Sequence, residues 1–169
     1  MMILQTERLT LRKLTLADAP FIYELVNSPN WLEYIGEKNV KNLKDAENYI
    51  QAKILNHYKK HGFGFYLAIT KDTKQAVGLT GFIKRDSLDN PEVGYAFLPS
   101  GSGKGYALES TKAILNYGKT QLNIAKIVAI THPDNKRSQK LLLKLGFQYI
   151  SLIKLPEFEI ECSYFEEVS

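Results

Sequence analysis

Three glycines and a lysine in the segment PSGSGKGYALES, residues 99–110, have the spacing of a loop that binds phosphate. Gly101, Gly103 and Gly105 alternate with polar residues between a predicted strand and a predicted helix, and Lys104 adds a positive charge. Glycine lets the backbone approach a ligand closely, and the free N–H groups at a helix N-terminus attract anions. The segment therefore predicts a phosphate-binding loop, although a flexible connection that binds nothing remains the alternative.

The segment does not have the pattern of a nucleotide-hydrolase loop. The Walker A pattern G-x-x-x-x-G-K-[ST], placed on Gly103 and Lys104, requires glycine at position 98 and a hydroxyl residue at position 105. The sequence has Leu98 and Gly105 there. The dinucleotide pattern G-x-G-x-x-G fails because the third glycine comes one residue early and no acidic residue ends a following strand. The pattern favours phosphates held by backbone amides, without magnesium.

Length and composition predict one globular domain that spans residues 1–169, with 44% hydrophobic and 24% charged residues. The net charge of +4, with no run of five basic residues, does not favour a nucleic-acid partner. Cys162 is the single cysteine, and no His, Asp and Glu cluster has metal-ligand spacing, so no disulfide or metal site is predicted. The absence of a long apolar run predicts a cytoplasmic protein with no membrane segment.

Hydrophobic periodicity places the loop within a mixed arrangement of strands and helices. Thr15 and Asp18 form a capping box that opens the first helix, and Gly146 ends the last one. The predicted strands cover residues 3–14, 64–70, 76–84, 92–98, 126–131, 147–154 and 159–165. The predicted helices cover residues 15–28, 42–62, 104–122 and 134–145. The phosphate loop therefore connects the fourth strand with the third helix.

Four blocks of sequence share the patterns of one known family. EVGYAFLPSGSGKGYALES at 92–110 is similar to E-I-G-Y-x-L-x-P-x-x-W-G-K-G-Y-A-T-E-A, and HPDNKRSQKLLLKLGF at 132–147 is similar to N-P-x-N-x-x-S-x-x-V-L-x-K-L-G-F. TERLTLRKLTLADA at 6–19 and GLTGFI at 78–83 match earlier blocks in the same order. The chain thus resembles the GNAT N-acetyltransferases, in particular the ribosomal-protein (RimJ/RimL-like) branch. Two positions depart from the pattern. Ser100 stands where the family has Gln or Arg, and Ser102 stands where this branch has Trp.

The resemblance implies an α/β (α+β) GNAT fold and acetyl-CoA as the co-substrate. The fold would be a single mixed, mostly antiparallel twisted sheet of six to seven strands, splayed at its centre, with about four helices on its two faces. The pantetheine arm would pair with the strand end at Phe97 and Leu98, and the thiol end would lie near Asn135 and Ser138. The residues implied at the pyrophosphate are Ser102, Gly103, Lys104, Gly105, Tyr106, Ala107 and Leu108.

The implied reaction is direct attack of a primary amine on the thioester within a ternary complex. A base must remove a proton from the amine, and Glu92 is the candidate, with a solvent-facing or substrate-orienting role as the alternative. A strand N–H near Phe97 is the candidate donor to the oxyanion. Many GNATs protonate the leaving thiolate with a tyrosine in the pattern N-x-x-[AG]-x-x-x-Y. Counting from Asn135 puts Leu142 at that position, so Ser138 is the candidate substitute.

The acceptor and the assembly state stay open at the level of sequence. The amine belongs to a protein N-terminus or to a small molecule, and the chain is expected to be a monomer or a homodimer. The lost tyrosine leaves a non-catalytic acyl-CoA-binding sensor as the alternative function. His57 and His61, near a helix end, are expected on the surface. Five aromatic residues either line the acceptor site or belong to the core: Trp31, Tyr34, Phe63, Phe65 and Tyr66.

Overall fold

The computed structural model of the chain describes residues 1–168, in which eight strands form one sheet. The order across the sheet is β1-β2-β3-β4-β5-β6-β8-β7, and all neighbours are antiparallel except β5 and β6, which run parallel. The strands are β1 (Met2–Gln5), β2 (Leu9–Lys13), β3 (Phe65–Thr70), β4 (Ala76–Ile83), β5 (Glu92–Phe97), β6 (Val128–Thr131), β7 (Phe147–Ile153) and β8 (Cys162–Glu167).

The sheet has eight strands rather than the six to seven predicted, because the predicted strand over 3–14 is a hairpin of β1 and β2. The turn between them is bound to a distant carboxylate. Thr6 Oγ1 and the Arg8 N–H donate to Glu109 at 2.6 and 2.9 Å. Burial opposes the charge of Glu109, but these hydrogen bonds and the Arg8 guanidinium hold its pKa below the usual value. Glu109 lies 103 residues after Thr6, so local alternation could not reveal the turn.

The helices follow the predicted order, with one addition. Pro29 ends the first helix as predicted but also begins a short second one, because proline suits the first helical position. The predicted helix over 42–62 is continuous through a π-helical segment, Ile50–Leu55. The helices are α1 (Ala19–Val26), α2 (Pro29–Tyr34), α3 (Leu43–Tyr49), α4 (Asn56–His61), α5 (Tyr106–Thr120) and α6 (Lys136–Lys144). None within residues 1–168 has both the length and the apolarity needed to cross a membrane.

Apolar layers cover both faces of the sheet, because alternate strand residues point to opposite sides. On one face α5 and α6 pack against the sheet, with Tyr66, Phe82, Val93, Ile114 and Leu142 in the layer. On the other face α1 to α4 pack against it, with Ile22, Ile50, Ile54, Leu67 and Leu79 in the layer. Both layers reach the centre of the sheet, where β5 meets β6.

His57, expected on the surface, is half-buried and ties α4 to the ends of two strands. The Lys84 N–H donates to Nε2 at 3.0 Å, so Nε2 must carry a lone pair. Nδ1 therefore carries the proton and donates to the Phe63 carbonyl at 2.7 Å. Burial, together with the nearby Lys60 and His61, lowers the pKa of His57, although the Phe63 carbonyl works the other way. The folded state thus holds a neutral imidazole.

Acid should therefore weaken the fold through His57. An unfolded histidine gains a proton as the pH falls below about 6.5, whereas the folded one resists until a lower pH. Stability contributed by His57 is then complete above pH 6.5 and declines as the pH falls from there through the folded pKa. The urea midpoint should drop between about pH 7.5 and pH 5.5, and the drop should be smaller in His57→Gln. Equal drops in both proteins would contradict this assignment.

Candidate active site

The candidate site lies at the centre of the sheet, where β5 and β6 run parallel and then separate. The two strands pair at a single position, Glu92 with Val128, and the Val128 N–H donates to the Pro91 carbonyl at 3.0 Å. On its other side β5 pairs with β4 along its whole length. The splay that the family resemblance implies is therefore confirmed, and it opens toward the carboxyl end of β5.

Two residues of β5 present free backbone groups to this gap. The Leu98 N–H donates to the Val77 carbonyl at 2.9 Å, and the Leu98 carbonyl accepts from Gly101 at the same distance. Since hydrogen bonds in an antiparallel pair alternate along the strand, the N–H and C=O groups of Tyr95 and Phe97 point away from β4 and into the gap. Phe97 thus lies where pantetheine pairing was expected, Leu98 has its backbone engaged elsewhere, and Tyr95 joins Phe97.

The glycine-rich loop leads from β5 into α5 and presents its amides outward. Gly103 and Gly105 have φ values of +77° and +83°, a left-handed conformation that other residues rarely adopt. The first N–H bonded within the helix is that of Glu109, which donates to Gly105 at 3.0 Å, so the amides of residues 106–108 have no helical acceptor. Gly103, Lys104 and Gly105 are exposed, and Ser102, Tyr106, Ala107 and Leu108 are half-buried.

Two arginines that the sequence did not single out flank this loop. Arg8 donates from Nη1 to the Lys104 carbonyl at 2.8 Å and from Nε to Glu109 Oε1 at 2.7 Å. It therefore braces the loop against the β1–β2 turn. A Cβ placed on Gly103 would lie 3.7 Å from Arg137 Nη2, so this second guanidinium stands beside the exposed amides. Free amides, left-handed glycines and flanking cations together fit the pyrophosphate of acetyl-CoA.

Glu92 is a buried carboxylate at the closed end of the gap. It is 5% exposed and accepts from Arg85 Nε at 2.6 Å. Burial raises the pKa of Glu92, while the charge and hydrogen bond of Arg85 act in the opposite direction. Arg85 also stacks over the Phe158 ring at 5.0 Å and lies 3.8 Å from Glu157. The alternative of a solvent-facing glutamate is wrong, because this side chain is enclosed and paired.

Ser138 lies in the first turn of α6, on the far side of the gap from β5. Asn135 caps this helix, and its Oδ1 accepts the Ser138 N–H at 3.2 Å. The Tyr95 hydroxyl reaches across from β5 to within 2.9 Å of Ser138 Oγ and 3.0 Å of the Ser138 carbonyl. Leu142, one turn further along α6, is buried in the core and 1% exposed. The phenol beside Ser138 thus comes from the strand.

A cavity of about 980 Å³ joins these groups, with Glu92, Tyr95, Asn135 and Ser138 among its lining residues. Of the aromatic residues considered from the sequence, Trp31, Tyr34 and Phe65 line it, whereas Phe63 and Tyr66 pack in the core. Within residues 1–168, the buried Trp31 Nε1 and Thr131 Oγ1 atoms have no hydrogen-bond partner, and both residues line the cavity. Buried polar groups of this kind are usually satisfied by water or a ligand.

Glu92 and Ser138 approach this cavity from different sides of the sheet. Glu92 and Tyr95 are three positions apart on β5, so their side chains leave the strand on opposite faces. Tyr95 extends toward α6, and Glu92 extends toward Arg85. Both reach one cavity because the sheet is interrupted between β5 and β6. The gap can therefore hold a reacting group between a carboxylate and a pair of hydroxyls.

Comparison with known proteins gives the family. Residues 8–148 match the family described as acetyltransferase (GNAT) domain. The uncharacterized N-acetyltransferase YoaA of Bacillus subtilis is 32% identical over 147 residues, which cover 86% of this chain and 82% of YoaA. The ribosomal protein uS5-alanine N-acetyltransferase of Escherichia coli is 33% identical over 98 residues, which cover 56% of this chain and 50% of that enzyme.

A solved structure agrees in fold. The spermidine N-acetyltransferase of Vibrio cholerae, in complex with CoA and spermine, superposes with a TM-score of 0.76 at 24% identity, covering 94% of each chain. Three observations indicate the same family: the shared fold, the sequence relatives, and the glycine-rich loop beside an open strand edge. This chain therefore belongs to the GNAT family, in its RimJ/RimL-like branch, and is an acyltransferase with acetyl-CoA as its co-substrate.

Proposed function

We propose that the chain acetylates a primary amine by direct attack within a ternary complex. The observation that carries this proposal is the gap between β5 and β6, where Glu92 and Ser138 line one cavity beside free backbone amides. Acetyl-CoA supplies an activated thioester when it is bound. The residues of the chain then have to hold the phosphates, take a proton from the amine, and stabilise the oxygen and sulfur that gain charge.

Glu92 is proposed to take the proton from the amine, directly or through water. An amine is cationic near neutral pH and attacks only after losing a proton. Burial raises the pKa of Glu92 toward the working pH, which strengthens it as a base, and Arg85 keeps the ionised form accessible. A carboxylate left in water would be a weaker base by comparison. The pairing with Arg85 is thus compatible with catalysis.

The developing negative charges are proposed to be met by donors on either side of the gap. The free N–H groups of Tyr95 and Phe97 are suited to the oxyanion, because fixed backbone dipoles need no reorganisation during the reaction. The Ser138 hydroxyl is suited to the leaving sulfur, since it lies in the first turn of α6, where the helix dipole favours negative charge. Leu142 can supply no proton.

The phosphates are proposed to sit on the loop from Ser102 to Leu108. Lys104 and Arg137 add charge there, and Arg8 holds the loop in shape through its bond to the Lys104 carbonyl. The acceptor is proposed to enter from the side of α2 and α3. Trp31, Tyr34 and Glu33 of α2 line the cavity there, and Glu157 and Glu159 line it from the connection between β7 and β8. These rings and carboxylates suit a cationic amine with some apolar surface, and Lys38 and Lys53 line the same cavity.

Release of free thiol from acetyl-CoA tests the proposal directly. The relatives suggest a panel of peptides with N-terminal Ala, Ser or Met, together with spermidine, because one is named for a ribosomal-protein alanine and another for spermidine. We expect acceptor-dependent thiol release with at least one class. Tight binding of CoA without turnover of any amine would instead favour an acyl-CoA sensor.

A further inference from the structure

We infer that Tyr95 is a positioning residue for Ser138, which it orients so that the serine proton faces the leaving sulfur. This inference rests on the proposed function. It starts from a contact that joins the two sides of the gap. The phenol leaves β5 and ends 2.9 Å from Ser138 Oγ and 3.0 Å from the Ser138 carbonyl, both on α6.

Two arrangements of protons place a hydrogen bond between the two hydroxyls. Tyr95 has one hydroxyl proton and two acceptors within reach. If it donates to the Ser138 carbonyl, the 2.9 Å contact between the two hydroxyls is a hydrogen bond only when the serine donates to Tyr95, which turns the serine proton away from the cavity. If it donates to Ser138 Oγ, the serine proton is free to point into the cavity. Of these two, only the second offers a donor to a ligand while the hydrogen bond to Tyr95 is kept.

A thiolate forming beside Ser138 selects the second arrangement, because it attracts the serine proton. Hydrogen bonds in a chain polarise one another, so a serine that receives a proton from Tyr95 is a better donor than an isolated one. Burial raises the pKa of Tyr95 to about 12, with the hydrogen bond to Ser138 acting in the opposite direction, so the phenol stays protonated across the neutral range. No proton has to leave Tyr95, since a hydrogen bond suffices.

Both partners are held firmly enough for this role. Ser138 is fixed by the bond from its N–H to Asn135 Oδ1, which caps α6. Tyr95 is fixed by β5, whose pairing with β4 includes Tyr95 opposite Thr80. The phenol ring packs with the apolar layer beneath α5 and α6. The contact is therefore built from two rigid elements, and removal of one hydroxyl should leave the rest in place.

A double-mutant cycle on Tyr95→Phe and Ser138→Ala tests the inference with the best acceptor found. We expect Tyr95→Phe to lower kcat about tenfold, the size of one lost hydrogen bond to a charge-bearing site, with the KM for acetyl-CoA within about twofold. In the Ser138→Ala background the same change should have no further effect. Tyr149→Phe, which alters an exposed tyrosine on the edge strand β7, should leave all constants unchanged.

Several results would overturn the inference. Equal losses from Tyr95→Phe in both backgrounds would show that Tyr95 acts without Ser138. A higher KM for acetyl-CoA with unchanged kcat would show that the contact has a structural role and sets the width of the gap. An unchanged kcat in Tyr95→Phe would remove the role altogether.

A second readout needs no acceptor. Cys162 is buried but also lines the cavity, so alkylation is followed in a Cys162→Ala background, in which Ser138→Cys supplies the single thiol. The pH dependence of the alkylation rate of this thiol should shift to higher pH when Tyr95→Phe is added, because the phenol no longer stabilises the thiolate. An unchanged pH dependence of alkylation would overturn the inference, even if the wild type acetylates no amine. Absence of turnover with any amine would count against the proposed function alone.

Discussion

Glutamine in place of Glu92 should lower kcat for acetyl transfer by about 100- to 10,000-fold, the range typical of a lost general base. The affinity for CoA should stay within about twofold, because Glu92 lies away from the phosphate loop. Glutamine keeps the shape of the side chain and an oxygen that can accept from Arg85 Nε, so the fold should survive. Alanine would be a poorer choice, since it would leave Arg85 without its partner in a buried site.

The pH dependence gives this prediction a second readout. Under the proposed mechanism the wild type is active only when Glu92 is ionised, so kcat/KM should fall as the pH drops through its pKa. Burial raises that pKa and Arg85 only partly offsets it, so the acidic limb should lie above the 4.5 of an ordinary glutamate. Glu92→Gln should lack this limb. Glu167→Gln, which changes a paired glutamate outside the cavity, should retain it. A loss below about fivefold in Glu92→Gln would reduce Glu92 to a partner of Arg85.

Valine in place of Gly105 should raise the Kd for CoA by about tenfold or more. Gly105 has a φ of +83°, and a residue with a Cβ costs about 1–2 kcal/mol there, more when β-branched. The new Cβ would also lie 3.2 Å from Arg8 Nη2 and disturb the brace on the loop. The free loop should relax away from this conformation, and binding must then restore it. Each 1.4 kcal/mol spent in this way weakens binding tenfold.

Calorimetric titration with CoA measures this effect, and Gly62→Val is the matched control. Gly62 has a φ of +80° at the end of α4, with open space around it, so valine there introduces comparable backbone strain far from the loop. The control should lose thermal stability and keep its affinity for CoA. An unchanged Kd in Gly105→Val, or equal losses in both variants, would mean that the loop does not hold the phosphates.

The sequence was informative where function depends on local spacing. Alternating glycines, a following helix and the order of strands and helices are properties of short segments, so the loop and the element order could be predicted from them. The splay at the centre of the sheet was expected only from the family resemblance. The N-terminal hairpin was missed, because its turn is fixed by Glu109, which is distant in sequence. The same applies to the pairing of Arg85 with Glu92 and to the reach of Tyr95 to Ser138, which depend on how separate elements pack.

His57 shows why residue type alone misleads. A histidine near a helix end is most often solvated, yet this one is half-buried and hydrogen-bonded to two backbone groups, the Phe63 carbonyl and the Lys84 N–H. Arg137 was passed over for the opposite reason, since nothing in its own segment distinguishes it from a solvated cation. Its place beside Gly103 follows from the packing of α6 next to the loop.

The single pair between Glu92 and Val128 divides the main-chain hydrogen bonding of the sheet into a five-stranded and a three-stranded part. Local opening at such a joint costs less free energy than unfolding of either part. A ligand that bonds across the gap adds its binding free energy at this joint. Bound CoA is therefore expected to strengthen the contact between the two parts of the sheet. We therefore expect CoA to slow cleavage within β6 to β8 when the purified protein is treated with a protease.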